Sequence, residues 1–312
     1  MTTSVNLPER RQLWYAAIKW PMYTVAVIPI TVGTAVAYAQ SDRLDWTIFL
    51  TFLGSAIAII AWLNLSNDFF DSETGIDRNK LHSVVNLTGN KALVFWLSNL
   101  FLFLGILGIF SIAWKQQNWT VLELILLCCA LGYSYQGPPF RLGYQGLGEP
   151  ICFFTFGPLA IAAAYYSQTE SFSLESFAAS ILIGITTSII LFCSHFHQVE
   201  DDLAAGKRSP IVRLGTKLGA KVLAVATGSI FILVPLFVLL GYFPIWTLAI
   251  FLSVPFAYQL VHFVWHNHNI PEKVKICKFI AVKFHFWSGL FFALGFIILN
   301  FPSIPVSSVS LW

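Results

Sequence analysis

Residues 46–71, WTIFLTFLGSAIAIIAWLNLSNDFFD, decide the fold class of this 312-residue chain. The first 22 of them carry no charge, and a helix of about 20 apolar residues is long enough to cross a lipid bilayer. The stretch then ends on two carboxylates, Asp68 and Asp71. Ionisable residues at the end of a span are costly and mark functional sites by default, so these acids call for a binding partner.

The composition extends this interpretation to the whole chain. Hydrophobic residues make up 57% of it and charged residues 11%, with a mean hydropathy of +0.72, which excludes a soluble globular domain. Apolar runs of this length also exclude the alternating pattern of a membrane barrel. We therefore expect an all-α integral membrane protein whose spans surround a central cavity. The runs predict nine spans, at residues 20–39, 47–68, 92–114, 119–136, 150–167, 175–197, 220–241, 245–265 and 280–300.

The distribution of basic residues predicts the topology. The nine spans form one domain over residues 18–301, after a polar segment at 1–17 and before a tail at 302–312. If the spans alternate in direction, 16 of the 18 basic residues fall on the N-terminal side, and only Arg43 and Lys115 fall opposite. The positive-inside rule then puts the N-terminus on the cytoplasmic or stromal side of a plasma or thylakoid-type membrane.

Two acidic segments end spans on that basic side. In the first, Asn64, Asp68 and Asp71 are spaced i, i+4 and i+7, so one helical face carries all three. Asn67 and Asp77 extend this segment. The second segment, HFHQVEDDLAAGKRS at 195–209, ends a span four helices later. Its polar residues include His195, Gln198, Glu200, Asp201 and Asp202.

These acids point to a bound cation, because two facing acidic clusters repel each other unless positive charge lies between them. Mg²⁺ prefers oxygen ligands and commonly shares its coordination shell with substrate phosphates. The same side supplies basic side chains suited to phosphate oxygens, namely Lys19, Arg78, Lys80, Lys91, Arg141, Lys207 and Arg208. The sequence therefore predicts a metal–diphosphate site that opens from the basic face into an apolar cavity.

Four stretches resemble the UbiA superfamily of intramembrane aromatic prenyltransferases. NDFFDSETGID at 67–77 and VEDDLAAGKRSPIVRLG at 199–215 are similar to its two aspartate-rich motifs. IKWPMYTVAVIPITVGTAVAY at 18–38 and YSYQGPPFRLGYQGLGEPICFFTFGPL at 133–159 look like the 1,4-dihydroxy-2-naphthoate prenyltransferase (MenA-like) branch. The resemblance extends from about residue 18 to residue 300.

The resemblance implies a Mg²⁺-dependent transfer of a long prenyl group from its diphosphate to 1,4-dihydroxy-2-naphthoate. The expected prenyl group is phytyl. CO₂ and diphosphate would be lost, in the biosynthesis of a vitamin K quinone. The implied catalytic and metal-binding residues are Asp68, Asp71 and Asp202, with Asp77, Glu200 and Asp201 as further metal ligands. The implied diphosphate contacts are Asn64, Asn67, Lys19, Arg78, Lys80, Arg141, Lys207 and Arg208. The implied contacts of the aromatic acceptor are Tyr133, Tyr135, His195 and Gln198.

Two positions depart from the pattern of the wider superfamily. Gly75 stands where the first motif usually has its third Asp, and the acid follows at Asp77, a spacing that the naphthoate branch shares. Gln198 stands where the second motif usually begins with Asp. An amide is a weaker metal ligand than a carboxylate, so Glu200 or Asp201 would compensate.

Several assignments stay open at the level of sequence. Arg141 is suited to the diphosphate or to the acceptor carboxylate, and Glu149 either caps a helix or orients Arg141. His195 serves as a general base, hydrogen-bonds an acceptor hydroxyl, or has no role beyond a polar helix end. Other acceptors, such as homogentisate, 4-hydroxybenzoate or a chlorophyllide, are alternatives, as is a cation transporter. Besides membrane lipid, we expect neither nucleic acid nor an obligate protein partner.

Overall fold

The fold is described by a computed structural model over residues 13–15, 17–74 and 83–298. Within these ranges all regular structure is helical and no strand is present, which confirms the all-α class. The predicted site residues Asp77, Arg78 and Lys80 lie outside the described residues.

Helices follow one another at the positions of the predicted spans. Their bounds are α1 Thr24–Ser41, α2 Trp46–Thr74, α3 Lys91–Gln116, α4 Thr120–Gln136, α5 Gly148–Thr169, α6 Leu174–Ser194, α7 Thr216–Leu239, α8 Ile245–Asn267 and α9 Cys277–Ile298. The first part of α8, Ile245–Ser253, is a 3₁₀ helix. Short helices occupy connections at Trp20–Tyr23, Val84–Thr88, His195–His197, Val199–Ala204, Pro210–Leu214 and Pro271–Val274.

Eight helices in the described part of the chain are long and apolar enough to cross a bilayer. The helix at the predicted fourth span, α4, is also apolar but has 17 residues. The integral membrane character is thereby established, whereas nine complete crossings and the side of the N-terminus stay predictions.

Local sequence explains where several helices begin and end. Asn90 Oδ1 accepts the backbone N–H of Leu93 at 3.0 Å and caps the start of α3. Ser173 Oγ accepts the backbone N–H of Ser176 at 3.1 Å and caps α6 in the same way. A turn at residues 241–244 separates α7 from α8.

The helix α5 is interrupted by a π-helical turn at Thr155–Leu159. Gly157 lies in this turn, where an added Cβ would come 2.6 Å from the carbonyl oxygen of Ser180 and 2.9 Å from Gly184 Cα. Only glycine therefore permits this approach of α5 to α6. Single π turns inside α-helices are frequent at functional sites.

Two large buried apolar clusters form most of the interior, and α1 contributes to both; a smaller third cluster includes Val85 and Val94. One large cluster is built from α1 with α5, α6, α7, α8 and α9, and it includes Phe284 and Phe292. The other is built from α2, α3, α4 and the second half of α5 around Phe52 and Ile109. The outer faces of α3 and α7 expose large apolar side chains, as expected of helices that face lipid.

Candidate functional site

A cavity of about 180 Å³ lies between α1, α2, α4, α5, α6 and α9. Its lining is mostly apolar, with side chains such as Ile60, Leu63 and Phe156. The polar side chains that line it are Asn64, Asn67, Tyr135, Thr155, Thr187, Ser194 and Lys278. In the part of the chain that the structure describes, no carboxylate belongs to this lining.

A second, narrower space of about 50 Å³ continues along α1, α2 and α4. It shares Ile60, Leu63, Thr155 and Phe156 with the main cavity. An amide-rich end joined to an apolar continuation suits a ligand with a polar head and a hydrocarbon tail.

The first acidic segment lies in the last turns of α2, beside the cavity. Asp68 is only 1% exposed, and Lys19 Nζ donates to its Oδ1 at 3.0 Å. The second oxygen, Oδ2, accepts the backbone N–H of Val84 at 2.9 Å. Asn64 and Asn67, within one turn of Asp68, line the cavity. The predicted amide and carboxylate face of this helix is therefore continuous with the cavity wall.

Asp71, one turn further along α2, is held by the end of α4. Gln136 Nε2 donates to Asp71 Oδ1 at 2.8 Å. The oxygen Oε1 of the same glutamine is buried without a hydrogen-bond partner, which leaves an acceptor for a ligand or water. Gln136 was not among the residues predicted from the sequence.

The second acidic segment follows a break in the helix after α6. The helix ends at Ser194, a 3₁₀ turn covers His195–His197, and the chain turns at Gln198 into the short helix Val199–Ala204. This break buries Asp202 completely. Lys207 Nζ lies 3.3 Å from Asp202 Oδ1, and His195 Nδ1 lies 3.3 Å from Oδ2.

The surroundings of Asp202 favour its ionised form. Burial raises the pKa of this carboxyl, but the hydrogen bond with His195 and the charge of Lys207 lower it more. The net pKa is therefore below the ordinary value of an aspartate. An ionised, fully buried carboxylate is suited to binding a cation.

Tyr144 connects the two acidic segments. Its hydroxyl is 2.8 Å from Thr74 Oγ1 at the end of α2. Its carbonyl oxygen accepts the backbone N–H of Arg208 at 2.8 Å, next to Lys207 in the second segment. The loop between α4 and α5 therefore contacts both segments.

Glu149 and Arg141 do not contact each other in the way that one sequence interpretation proposed. Glu149 Oε1 lies 3.4 Å from His195 Nε2, so His195 is placed between two carboxylates. Arg141 Nη2 lies 3.9 Å from Glu73 Oε2 instead. The capping alternative is not seen either, because the N-cap residue of this helix is Leu147 and no side chain caps it.

Lys19 and Arg141 share an unusual backbone conformation. Their φ angles are 54° and 43°, in the left-handed region that non-glycine residues rarely adopt. Asp42, Gln117 and Glu170, each at the end of a helix, share this conformation, so it does not by itself mark a site. Lys19 and Arg141 are both predicted diphosphate contacts.

Other predicted site residues lie outside the cavity. Glu200, Asp201 and Arg208 are exposed. Tyr133 is 40% exposed, and its hydroxyl donates to the carbonyl oxygen of Pro138 at 2.9 Å. Gln198 is half-buried at the helix break. Tyr135, by contrast, lines the cavity.

The sequence comparisons agree with this geometry. The model of the UbiA prenyltransferase family matches residues 26–290. The chain belongs to this family. It is 62% identical over 289 residues to the 2-carboxy-1,4-naphthoquinone phytyltransferase of Synechocystis sp., across 93% of this chain and 94% of the relative. It is 41% identical to the chloroplastic 2-carboxy-1,4-naphthoquinone phytyltransferase of Arabidopsis thaliana, across 94% of this chain and 78% of the relative.

A solved structure shows the same fold. It is a UbiA homolog from Archaeoglobus fulgidus bound to GPP and Mg²⁺, with a TM-score of 0.58 at 16% identity. The superposition covers 93% of this chain and 100% of the other. The helical architecture described above is therefore that of the UbiA prenyltransferases.

The donors of the two motifs are of the kind that Mg²⁺ binds, namely carboxylate and amide oxygens. Among the described residues no three His, Cys, Asp or Glu are grouped as ligands, and lysines lie beside Asp68 and Asp202. Both carboxylate oxygens of Asp202 are buried, and their contacts with Lys207 and His195 are 3.3 Å long, so a bound cation would compete with these two side chains for them. The chemistry of these donors fits Mg²⁺, with lysines supplying the positive charge in the present arrangement.

Proposed function

We propose that this UbiA-family protein is an integral membrane phytyltransferase that prenylates 1,4-dihydroxy-2-naphthoate with release of CO₂ and diphosphate. The observation that carries the proposal is the 62% identity to a phytyltransferase across 93% of the chain. An apolar cavity with amides at its polar end supports it. Membership of a prenyltransferase family also favours an enzyme over the cation transporter. We expect the site to open on the basic face of the membrane, at the cytoplasmic or stromal side.

In the proposed reaction CO₂, and not a proton, leaves the ring carbon that is prenylated. The bond between C1 of the phytyl group and the diphosphate oxygen breaks, and the electron pair leaves with diphosphate. Ring carbon C2 bonds to C1, and the bond from C2 to its carboxylate then breaks. Its electron pair restores the aromatic ring as CO₂ departs. The acceptor end of the site therefore needs a group that binds a carboxylate, and it needs no base to remove a ring proton.

The two motifs would serve the diphosphate end of the reaction. Asp68, Asp71 and Asp202 are the expected ligands of Mg²⁺, which neutralises a leaving diphosphate when it is bound. Lys19 and Lys207, next to these acids, would contact the same diphosphate. Together they would stabilise the charge that develops on the leaving group.

The cavity walls would serve the cationic end of the prenyl group. Apolar side chains exclude water, which would otherwise capture an allylic cation. The rings of Tyr135 and Phe156 belong to this lining, and aromatic faces stabilise cations. The narrower space beyond Ile60 and Leu63 would receive the hydrocarbon tail.

Product analysis tests the proposed function. The purified protein in lipid nanodiscs receives Mg²⁺ and phytyl diphosphate, together with 1,4-dihydroxy-2-naphthoate, homogentisate or 4-hydroxybenzoate in turn. We expect a prenylated, decarboxylated naphthoquinol and stoichiometric CO₂ with the naphthoate only. A product with another acceptor, or no product with any of them, would contradict the proposal.

A further inference from the structure

Lys278 is a cavity residue to which neither the sequence motifs nor the proposed diphosphate site assigns a role. It is the second residue of α9 and is half-buried. Of the described residues that line the main cavity, it is the one with a charged side chain. Its ammonium lies 5.2 Å from the centroid of the Phe279 ring, within the range of a cation–π contact.

The packing of α9 against α6 sets the position of Lys278. Cys277 Sγ donates to the carbonyl oxygen of Cys193 at 3.1 Å. The next residue after each cysteine, Lys278 and Ser194, lines the cavity. Both cysteines are completely buried, so the start of α9 is firmly attached to the end of α6. This buried contact therefore fixes the part of α9 that positions the ammonium in the cavity wall.

Lys278 enters the cavity from a different helix than the first acidic motif, and its charge also acts on His197 of the second segment. The amides of Asn64 and Asn67 lie on α2, the helix that also carries the buried pair of Asp68 with Lys19. Lys278 instead enters from α9, among lining residues such as Ile190 and Leu191 of α6. The cavity therefore has one wall with amides next to the first motif and another wall that carries a cation beside Ser194.

We propose that Lys278 binds the carboxylate of the aromatic acceptor, an inference that rests on the proposed function. A carboxylate enters an apolar cavity only when a cation or hydrogen-bond donors compensate for its lost hydration. Arg141, the residue that the sequence offered for this carboxylate, does not line the cavity and faces Glu73. Lys278 provides the charge within the cavity, and the flat ring would extend from it across the apolar lining.

This role predicts a specific kinetic signature. The carboxylate is charged in the bound acceptor and becomes neutral CO₂ as the reaction proceeds. An ammonium that binds it therefore stabilises the ground state at least as much as the transition state. Loss of such an interaction raises KM for the acceptor and leaves kcat little changed.

The experiment compares neutral variants at this position with a matched control on the same helix. Lys278→Gln and Lys278→Met both remove the charge. Two neutral variants are used so that the test does not fail if one of them does not fold. Lys278→Arg retains the charge. Lys283→Gln is the control, because Lys283 is exposed, lies against the ring of Phe256 and does not line the cavity. Gel filtration and thermal midpoints verify folding.

Binding is measured by calorimetry without a prenyl donor, so that the result is independent of turnover. The probes are 1-hydroxy-2-naphthoate, which keeps the carboxylate and resists oxidation, and 1-naphthol, which lacks it. We expect the neutral variants to bind 1-hydroxy-2-naphthoate about tenfold more weakly or worse, as for loss of a charged hydrogen bond. Binding of 1-naphthol should change by less than about twofold, and Lys278→Arg and Lys283→Gln should behave like wild type.

The other outcomes test the inference and the proposed function separately. Equal weakening of both probes means that Lys278 has only a structural role. A rise in KM for phytyl diphosphate instead of the acceptor assigns the cation to the diphosphate. If wild type prenylates the naphthoate and the neutral variants behave like wild type, Lys278 does not bind the acceptor carboxylate. The proposed function is then unaffected. If binding of the carboxylate probe depends on Lys278 but no prenylated product forms, the proposed function is contradicted. Lys278 is then still part of a site that binds anions.

Discussion

Lys19 Nζ lies 3.0 Å from Asp68 Oδ1, although 49 positions separate the two residues in the chain. Lys207 stands in a similar relationship to Asp202, at 3.3 Å. Each motif thus carries a lysine beside its buried aspartate. These pairs remove the repulsion that two clusters of carboxylates would otherwise suffer in one layer of the protein.

The first prediction concerns the stability that Lys19 provides. Lys19→Met leaves the 1% exposed Asp68 without this cation, and breaking such a pair costs about 3 kcal/mol or more. The exposed pair of Lys115 with Asp45, at 2.8 Å, contributes less than about 1 kcal/mol. Thermal midpoints in EDTA should therefore fall much further for Lys19→Met than for Lys115→Met.

Added Mg²⁺ makes this prediction sharper. If Asp68 is a metal ligand, Mg²⁺ replaces the missing positive charge and restores much of the midpoint of Lys19→Met. The midpoint of Lys115→Met should not respond. Equal losses in the two variants, or no recovery with Mg²⁺, would argue against the role of Asp68.

The second prediction separates two adjacent acids of the second motif. Asp202 is completely buried against His195 and Lys207, whereas Asp201 is exposed. Asp202→Asn should lower kcat/KM at least about tenfold more than Asp201→Asn, because a buried ligand is hard to replace by water. Turnover of phytyl diphosphate by both variants decides the matter, and a larger effect at Asp201 would reverse the assignment.

The third prediction concerns His195 between Glu149 and Asp202. Because CO₂ departs in place of a proton, this histidine is expected to position Asp202 and not to act as a base. His195→Gln should raise the Mg²⁺ concentration for half-maximal activity about tenfold and leave the shape of the pH profile unchanged. His262→Gln, on the exposed side of α8, is the control. A flattened pH profile without a change in Mg²⁺ dependence would show a base after all.

The fourth prediction concerns the oxidation state of the acceptor. The relatives are named for 2-carboxy-1,4-naphthoquinone, which is two electrons and two protons more oxidised than 1,4-dihydroxy-2-naphthoate. Attack on an allylic cation requires an electron-rich ring, so we expect turnover of the hydroquinone and little of the quinone. Anaerobic assays with each form, with and without dithionite, measure this. Equal rates for the untreated quinone would contradict it.

The spans and the first motif could be predicted because their signals are local. Uninterrupted apolar runs locate helices, and the spacing of Asn64, Asp68 and Asp71 places them on one helical face wherever the helix packs. The prediction of a span at 119–136 agrees with α4, which covers Thr120–Gln136. The 3₁₀ start of α8 could not be anticipated in the same way, because tertiary packing selects it within an apolar run.

The partners of the site residues depend on distant contacts, which single-sequence patterns do not contain. One of the two alternatives for Glu149 pairs it with Arg141, which is close in the chain, whereas the structure pairs it with His195. At the level of sequence, Lys278 counts only as one of the basic residues that predict the topology. It belongs to no motif that would indicate a cavity. Gln136 was passed over as the end of α4, although it holds Asp71.

The contact of Gly157 with Gly184 has a consequence for acceptor shape. Thr155 on α5 and Thr187 on α6 line the cavity within three residues of this contact. Their separation is therefore set by touching backbones, which cannot be compressed or padded as side chains can. Substitutions at Ile60 or Leu63 would lengthen or shorten the space for a tail. The separation of α5 from α6 at Thr155 and Thr187 would stay constant.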